Sequence, residues 1–202
     1  MSSDEITLNL NAVVAALSER GYKVFPPGAR ISAERNALAW EFDQEFLGLI
    51  NGFERLNETN RKSSMYNTFL AIKYIHANHI SGDFVECGVF WGRHIMMMTL
   101  TLSMLGKYDQ DIWLYDTFKG LTEPSEHDAY RTAGKDAQWV KDHWTKQNSD
   151  DHNGWCYAPL EEVKANVRKT KYSEERLHFV EGDVLETLPN SNHSEISLLR
   201  LD

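Results

Sequence analysis

The sequence contains few cysteines, few prolines and no long apolar run. Its two cysteines, Cys87 and Cys156, lie far apart and form no Cys-x-x-Cys pair, so neither a disulfide framework nor a cysteine zinc site is indicated. The longest apolar runs, 95–105 and 196–201, are too short or too polar to span a bilayer, and the amino terminus lacks the layout of a secretory signal. We therefore expect a cytoplasmic protein that does not bind membranes.

Basic residues are also in deficit. The chain has 21 Lys and Arg residues against 30 Asp and Glu residues, which gives a formal net charge of −9. An excess of negative charge provides no general attraction to nucleic acid or to anionic lipid. We therefore expect neither of them as a partner.

Residues 1–80 are predicted to form a helical region that packs on the core. Apolar side chains recur at helical spacing in two stretches. The first contains Phe42, Phe46, Leu49 and Phe53. The second runs from Ser64, a plausible N-cap, to His79, with Met65, Phe69, Ile72 and Ile75 on one face. Pairing of two subunits through this region, which would give a homo-oligomer, is a further expectation.

From residue 81 onward, short apolar strands alternate with helices. Strands are predicted at 83–86, 112–116, 177–180 and 196–201, and helices at 91–105 and 159–170. Strands that are apolar throughout are typical of a parallel sheet covered on both faces. The predicted fold of residues 81–202 is therefore an α/β, doubly wound, mostly parallel sheet.

Residues 120–157 interrupt this pattern as a polar segment that contains Trp139, Trp144 and Trp155. An insertion of this length usually covers a site, so we expect it to be lid-like, with a short helix near 136–144. The tryptophans either contact an apolar or sugar-bearing acceptor or simply hold the insertion on the body of the protein.

Two glycines follow the first predicted strand. Gly88 allows the backbone to turn sharply, and a helix that starts near Gly92 offers free N–H groups to a ligand. The Gly-x-x-x-Gly spacing differs from the Gly-x-Gly-x-x-Gly of dinucleotide binders, which argues against a nicotinamide oxidoreductase. Glu86 at the strand end suits a cationic ligand such as the amino group of S-adenosylmethionine. The same pattern also occurs in α/β units that bind nothing.

Asp116 ends the second predicted strand, 24 residues beyond Gly92. A carboxylate at this place accepts hydrogen bonds from ribose hydroxyls in cofactor-binding sheets. The other interpretation is a helix cap, since Asp116 and Thr117 are both good capping residues.

An acidic residue lies at or just after the end of each of the four predicted strands, as in class I S-adenosylmethionine-dependent methyltransferases. Five blocks in order resemble the macrocin O-methyltransferase (TylF-type) family, which implies a Rossmann-like methyltransferase fold. They are Gly82-Asp-Phe-Val-Glu-Cys-Gly-Val89, Tyr115-Asp-Thr-Phe-Lys-Gly-Leu121, Leu160-Glu-Glu-Val-Lys-Ala-Asn166, Phe179-Val-Glu-Gly-Asp-Val184 followed by Thr187-Leu-Pro189, and Leu198-Leu-Arg-Leu-Asp202.

The resemblance also implies roles for single residues. Glu86 and Gly88 would line the methionine end of the cofactor, with Gly92 closing the same loop, and Asp116 would hold the ribose. Gly182 and Asp183 would border the adenine, and Phe118 would lie at the cofactor rim. Asp202 would bind Mg²⁺ beside the acceptor hydroxyl, as both metal ligand and catalytic residue.

The function that the resemblance implies is S-adenosylmethionine-dependent, Mg²⁺-assisted O-methylation. The acceptor would be a hydroxyl of a small molecule, for example on a sugar of a secondary metabolite. The alternative is a catalytically inactive S-adenosylmethionine-binding or interaction module of the same fold.

Two departures from the family pattern qualify this expectation. The glycine loop has one glycine where the family commonly has Trp-Arg-Gly-Gly-Ser, and His94 replaces a small polar residue, so Arg93 or His94 would have to bind the cofactor carboxylate. The family pattern also continues beyond the aspartate that matches Asp202. We therefore expect a fragment, incomplete after its fourth strand, with further metal ligands beyond residue 202 and weak or no activity.

Overall fold

The computed structural model describes residues 39–41, 43–57, 61–128 and 134–201, together with Glu19. By their internal contacts, residues 1–48 and residues 49–202 form two compact units. Within these described residues, in chain order, the α-helices and β-strands are α1 Gln44–Asn51, α2 Glu54–Asn57, α3 Lys62–Ala77, β1 Asp83–Cys87, α4 Arg93–Met104, β2 Ile112–Asp116, α5 Ala137–Gln147, α6 Leu160–Arg168, β3 Leu177–Glu181, α7 Val184–Thr187 and β4 Ile196–Leu201.

The described part of the first unit contains a short 3₁₀ helix, Ala39–Glu41, and the start of α1. The Asp43 carboxylate accepts a hydrogen bond from the Phe46 backbone N–H at 3.0 Å, which caps the helix. The Trp40 ring meets Phe46 edge-on, with the ring centroids 6.5 Å apart. Phe42, which the sequence places on the same helical face, lies outside the described residues.

The second unit is built on a four-stranded parallel sheet in the order β3-β2-β1-β4. Successive parallel strands need crossover connections, and here these contain α4, α6 and α7. The predicted α/β class with a parallel sheet is confirmed. Because β2 and β4 flank β1 on opposite sides, the carboxyl end of β1 is a topological switch point, where open α/β sheets bind ligands.

Helices cover one face of this sheet tightly. The amphipathic face of α3 predicted from the sequence is buried, and α4 is buried along most of its length. The predicted cap is wrong, because α3 begins at Lys62 and its N-cap residue is Arg61, whose side chain does not cap the helix. Ser64 instead lies within the first turn, and its hydroxyl is 3.4 Å from Nε2 of His94.

The other face is covered less completely. Val184 of α7 and Leu188 pack against Val85, Cys87 and Tyr115. Three side chains of β4 stay exposed, Ile196 at 41%, Leu199 at 50% and Leu201 at 68%. The prediction of cover on both faces therefore does not hold for β4, because the described α7 and the turn after it pack over the other strands.

Candidate functional site

A cavity of about 550 Å³ lies at the carboxyl ends of β1, β2 and β3. Each strand contributes the residues that follow or end it: Gly88 and Phe90 after β1, Tyr115 and Asp116 in β2, and Gly182 and Asp183 after β3. Residues 120–122 and Cys156 of the insertion add a further wall, and Arg61 and Arg93 add two cations. The volume is within the range of small-molecule sites, roughly 300–1,000 Å³.

The Asp116 carboxylate connects the loops around this cavity. Its Oδ2 accepts hydrogen bonds from the backbone N–H groups of Val89 at 2.6 Å and Phe90 at 3.0 Å, and its Oδ1 accepts one from Phe118 at 2.8 Å. The backbone carbonyl of Asp116 also accepts from Gly182 at 3.0 Å. One acid thus sets the position of the glycine loop as well as lining the cavity.

Three non-glycine residues in or beside this site adopt left-handed backbone conformations. They are Phe90, Phe118 and Cys156, with φ values of 49°, 52° and 57°. Such conformations are uncommon for side chains other than Asn and Asp, and they cluster at ligand sites because the surroundings must hold them in place. Three of the five described non-glycine residues with positive φ therefore lie in or beside this cavity.

The Tyr115 side chain ends a partly buried chain of hydrogen bonds. Its hydroxyl lies 2.9 Å from Nε2 of His193, and Nδ1 of His193 lies 2.7 Å from a carboxylate oxygen of Asp83. Since the carboxylate can only accept, Nδ1 carries a proton, and Nε2 of a neutral ring then accepts from Tyr115. Burial raises the pKa of Tyr115, so the phenol stays neutral and the chain fixes the wall of the cavity.

Four of the predicted site residues share the cavity: Gly88, Asp116, Gly182 and Asp183. The Asp183 side chain also accepts a hydrogen bond from the Leu185 backbone N–H at 2.8 Å. At Gly182, where φ is 143°, a Cβ atom would lie 2.8 Å from Cγ2 of Thr187. Only glycine fits this turn without a shift of its neighbour.

Three other predicted residues lie outside the cavity lining. Glu86 is 1% exposed and accepts a hydrogen bond from Nη1 of Arg200 at 2.6 Å. Gly92 is the N-cap of α4, and Phe118 is buried with its ring 6.4 Å from that of Phe179. Asp202, the predicted catalytic residue and metal ligand, lies outside the described residues.

Sequence reasoning missed Arg61 and Tyr115 as cavity residues and considered Arg93 only as a replacement ligand. Arg61 precedes α3 and has no local motif, so no signal in the sequence identifies it. Alternation in β2 places Tyr115 on the same face as Trp113, which a strand pattern can show once the sheet order is known. His94, the other predicted replacement ligand, is not among the residues that line the cavity. It is at the start of α4 but is buried, with Nδ1 2.9 Å from the Thr68 hydroxyl.

The lining of the cavity offers groups that could hold a nucleoside sulfonium cofactor. Two carboxylates and several backbone groups can bind hydroxyls and amines, and two arginines can bind a carboxylate. Within 39–41, 43–57, 61–128 and 134–201, no three His, Cys, Asp or Glu side chains group as a metal site would require.

No helix in the described part of the chain is long and apolar enough to cross a membrane.

Two curated proteins that resemble this chain are both named as O-methyltransferases. At 27% identity over 136 residues, the chain is similar to 8-demethyl-8-(2,3-dimethoxy-alpha-L-rhamnosyl)-tetracenomycin-C 4'-O-methyltransferase of Streptomyces olivaceus, covering 67% of this chain and 48% of that protein. At 28% identity over 131 residues it is similar to demethyldecarbamoylnovobiocin O-methyltransferase of Streptomyces niveus, covering 65% and 45%. The chain thus spans about half the length of the curated relatives it matches.

Solved structures support the fold. The O-methyltransferase NovP superimposes with a TM-score of 0.54 at 24% identity, covering 69% of this chain and 52% of that one. The calicheamicin methyltransferase CalS11 gives a TM-score of 0.50 at 15% identity, covering 89% and 74%. At these identities the likeness shows a shared α/β fold.

A model of the family described as Macrocin-O-methyltransferase (TylF) matches residues 60–202, and the chain therefore belongs to that family.

Proposed function

We propose that this chain binds S-adenosylmethionine in the cavity at the ends of β1, β2 and β3, as part of an O-methyltransferase. The observation that carries the proposal is that Gly88, Asp116 and Asp183, from three different strand ends, line one cavity of about 550 Å³. The acceptor in this proposal is a hydroxyl of a small molecule, such as a sugar of a secondary metabolite. Its support is that the two curated relatives are named as O-methyltransferases of rhamnosyl-tetracenomycin and novobiocin compounds.

Each part of the cofactor has a matching group in the cavity. Gly88, with φ of 84°, lets the backbone approach the ligand without a side chain. Asp116 and Asp183 supply acceptors for the ribose hydroxyls and the adenine amine, and Arg61 and Arg93 supply positive charge for the methionine carboxylate. The guanidinium of Arg93 lies over the rings of Phe90 and Trp91, at 5.7 and 5.4 Å, which holds it beside the glycine loop.

Bound there, S-adenosylmethionine would supply an already activated methyl group. The residues of this chain would then have to hold and orient the two reactants and exclude water rather than form a covalent intermediate. Three expectations stay predictions from the sequence: Mg²⁺ binding through Asp202 and ligands beyond it, a homo-oligomer and a cytoplasmic location. The roles proposed above for the residues of this chain do not involve a metal.

Alkylation of cysteine tests the location of the cofactor. Cys156 is exposed and lines the cavity, whereas Cys87 is buried, and burial raises its pKa. Saturating S-adenosylhomocysteine should slow the alkylation of Cys156 by N-ethylmaleimide at least tenfold, as measured by mass spectrometry. Cys87 should stay unreactive with or without the ligand, which controls for unfolding. If calorimetry shows that the ligand is bound but Cys156 is alkylated at the same rate with and without it, the cofactor binds elsewhere. If calorimetry detects no binding at all, the proposal is refuted.

A further inference from the structure

His193 lies in the segment that connects α7 to β4, and its side chain is 4% exposed. Its imidazole joins two residues at opposite ends of the sheet. Nδ1 lies 2.7 Å from the carboxylate of Asp83, which begins β1, and Nε2 lies 2.9 Å from the Tyr115 hydroxyl. Tyr115 pairs with Cys87, the last residue of β1. The imidazole therefore links groups that belong to positions about 13 Å apart along the strands.

The backbone around Tyr115 holds the glycine loop. Its carbonyl accepts a hydrogen bond from the Gly88 N–H at 2.9 Å, and the carboxylate of the next residue, Asp116, accepts from two further N–H groups of that loop. A shift of Tyr115 would therefore move groups that line the proposed cofactor cavity. We propose that His193 is a positioning residue for S-adenosylmethionine: by holding the Tyr115 hydroxyl it fixes the end of β2 to which the glycine loop is bonded. The inference rests on the proposed function above.

The hydrogen bond to His193 matters because Tyr115 is only 1% exposed. Apolar contacts with Val85 and Cys87 bury the ring, but they have no direction, whereas a hydrogen bond weakens steeply when its angle changes. The Ser191 side chain, in the same segment as His193, also forms a hydrogen bond with this hydroxyl. Loss of the imidazole would remove one of these partners at a place that water does not reach, which carries a desolvation cost.

His178 offers a matched comparison on the same face of the sheet. Its Nε2 lies 2.8 Å from the Asp111 carboxylate, and its ring stacks on Trp113 with the centroids 4.2 Å apart. His193 meets the same indole edge-on, at 4.7 Å. In the described part of the chain, the His178 side chain has no hydrogen bond to a residue that lines the cavity. The bond to Tyr115 is thus the relevant difference between the two histidines.

Calorimetry with S-adenosylhomocysteine and the 202-residue chain tests the proposal. We expect His193→Leu to weaken binding roughly threefold to tenfold, and His178→Leu to leave the affinity unchanged. His193→Gln should restore most of the affinity, because its amide oxygen can accept from the Tyr115 hydroxyl. Equal affinities in His193→Leu and His193→Gln, or an equal loss in His178→Leu, would overturn the proposal.

Tyr115→Phe tests the same hydrogen bond from its other end, so the proposal stays testable if His193→Leu does not fold. We expect this variant also to bind S-adenosylhomocysteine more weakly than the wild type. The control is Tyr172→Phe, which removes another buried tyrosine hydroxyl, one that donates to the Gln110 carbonyl and does not line the cavity. Wild-type affinity in a folded Tyr115→Phe chain would disprove the role of His193.

Hydrogen exchange without ligand separates this inference from the proposed function. The Gly88 N–H should exchange faster in His193→Leu than in His178→Leu, relative to Val85 in the middle of β1. If the wild-type chain binds no S-adenosylhomocysteine, the proposed function is refuted, but faster exchange at Gly88 would still show that His193 positions the loop. Unchanged exchange at Gly88 in His193→Leu would overturn the positioning role even where the cofactor analogue binds normally.

Discussion

The Glu86 carboxylate lies 2.6 Å from the guanidinium of Arg200, across the pairing of β1 with β4. The Glu86 side chain is 1% exposed and that of Arg200 16%. Side chains alternate along β1, so Glu86 lies on the face opposite Cys87. This is the face that α3 and α4 cover. Two residues that the sequence assigns to separate family blocks thus form one buried ion pair between β1 and the edge strand β4.

Removal of one partner of this pair should destabilise the protein strongly. Arg200→Met leaves the Glu86 charge buried without its compensating cation, which costs about 3–5 kcal/mol in comparable cases. Urea denaturation would measure the change in the free energy of unfolding. The control is Arg168→Met, which breaks an exposed pair with Glu174 at 3.0 Å and should have a much smaller effect. If both variants lose the same stability, the Glu86 pair is not a buried one in solution.

Asp116→Asn should loosen the glycine loop even without a ligand. The amide offers one acceptor oxygen where the carboxylate offers two, and its NH₂ group would face a backbone N–H, so we expect a loss of about 1–3 kcal/mol. Hydrogen exchange would report faster exchange at Val89 and Phe90. Asp128→Asn, which also removes a carboxylate bonded to a backbone N–H, should leave the exchange at those two residues unchanged. Unaltered exchange in Asp116→Asn would show that the loop does not depend on Asp116.

Tyr172 should make the protein sensitive to alkali. Burial raises its pKa from 10.0 to about 12, and its hydroxyl donates to the Gln110 carbonyl at 3.0 Å. Because the unfolded chain releases this proton at lower pH than the folded one, stability that is complete below pH 10 is lost as the pH rises toward 12. Tyr172→Phe should show a shallower loss of stability over this interval in denaturation curves. Tyr108→Phe, at an exposed tyrosine, should retain the wild-type slope, and identical slopes in all three proteins would contradict the assignment.

Gly92→Ala should destabilise the chain more than Gly106→Ala. Both glycines have positive φ, 79° and 69°, so both substitutions carry a backbone cost of roughly 1–2 kcal/mol. At Gly92 a Cβ atom would also lie 3.2 Å from Val167 and 3.3 Å from Val163, whereas nothing lies within 4 Å at Gly106. The difference between the two unfolding free energies measures the packing of α4 on α6. Equal losses would mean that α6 moves away without cost.

Much of the fold was predictable because its signals are local. The apolar run of β4 gave its exact bounds, 196–201, and the helix predicted at 91–105 is observed at Arg93–Met104. The short helix expected at 136–144 is longer, Ala137–Gln147, and Asp136 caps it through the Trp139 N–H at 2.9 Å. A capping side chain, an apolar stripe and a glycine turn each act within a few residues, so one sequence shows them directly.

The site was predictable in part. Strand-end acids and glycines converge when strands are parallel, which is why Gly88, Asp116, Gly182 and Asp183 were found together. Arg61 could not be found in this way, because it lies outside the sheet and reaches the cavity only through the packing of α3.

By itself, then, the sequence determined the succession of helices and strands, the family blocks and the acids at the strand ends. The tertiary structure alone decided which groups those acids contact. The Glu86 carboxylate binds an arginine of the neighbouring strand, and the Asp116 carboxylate binds the backbone of the glycine loop. The physical reason is that periodicity and capping depend on neighbours along the chain. Partners separated by 114 and 27 positions depend instead on strand order and register, which are fixed only when the sheet has formed.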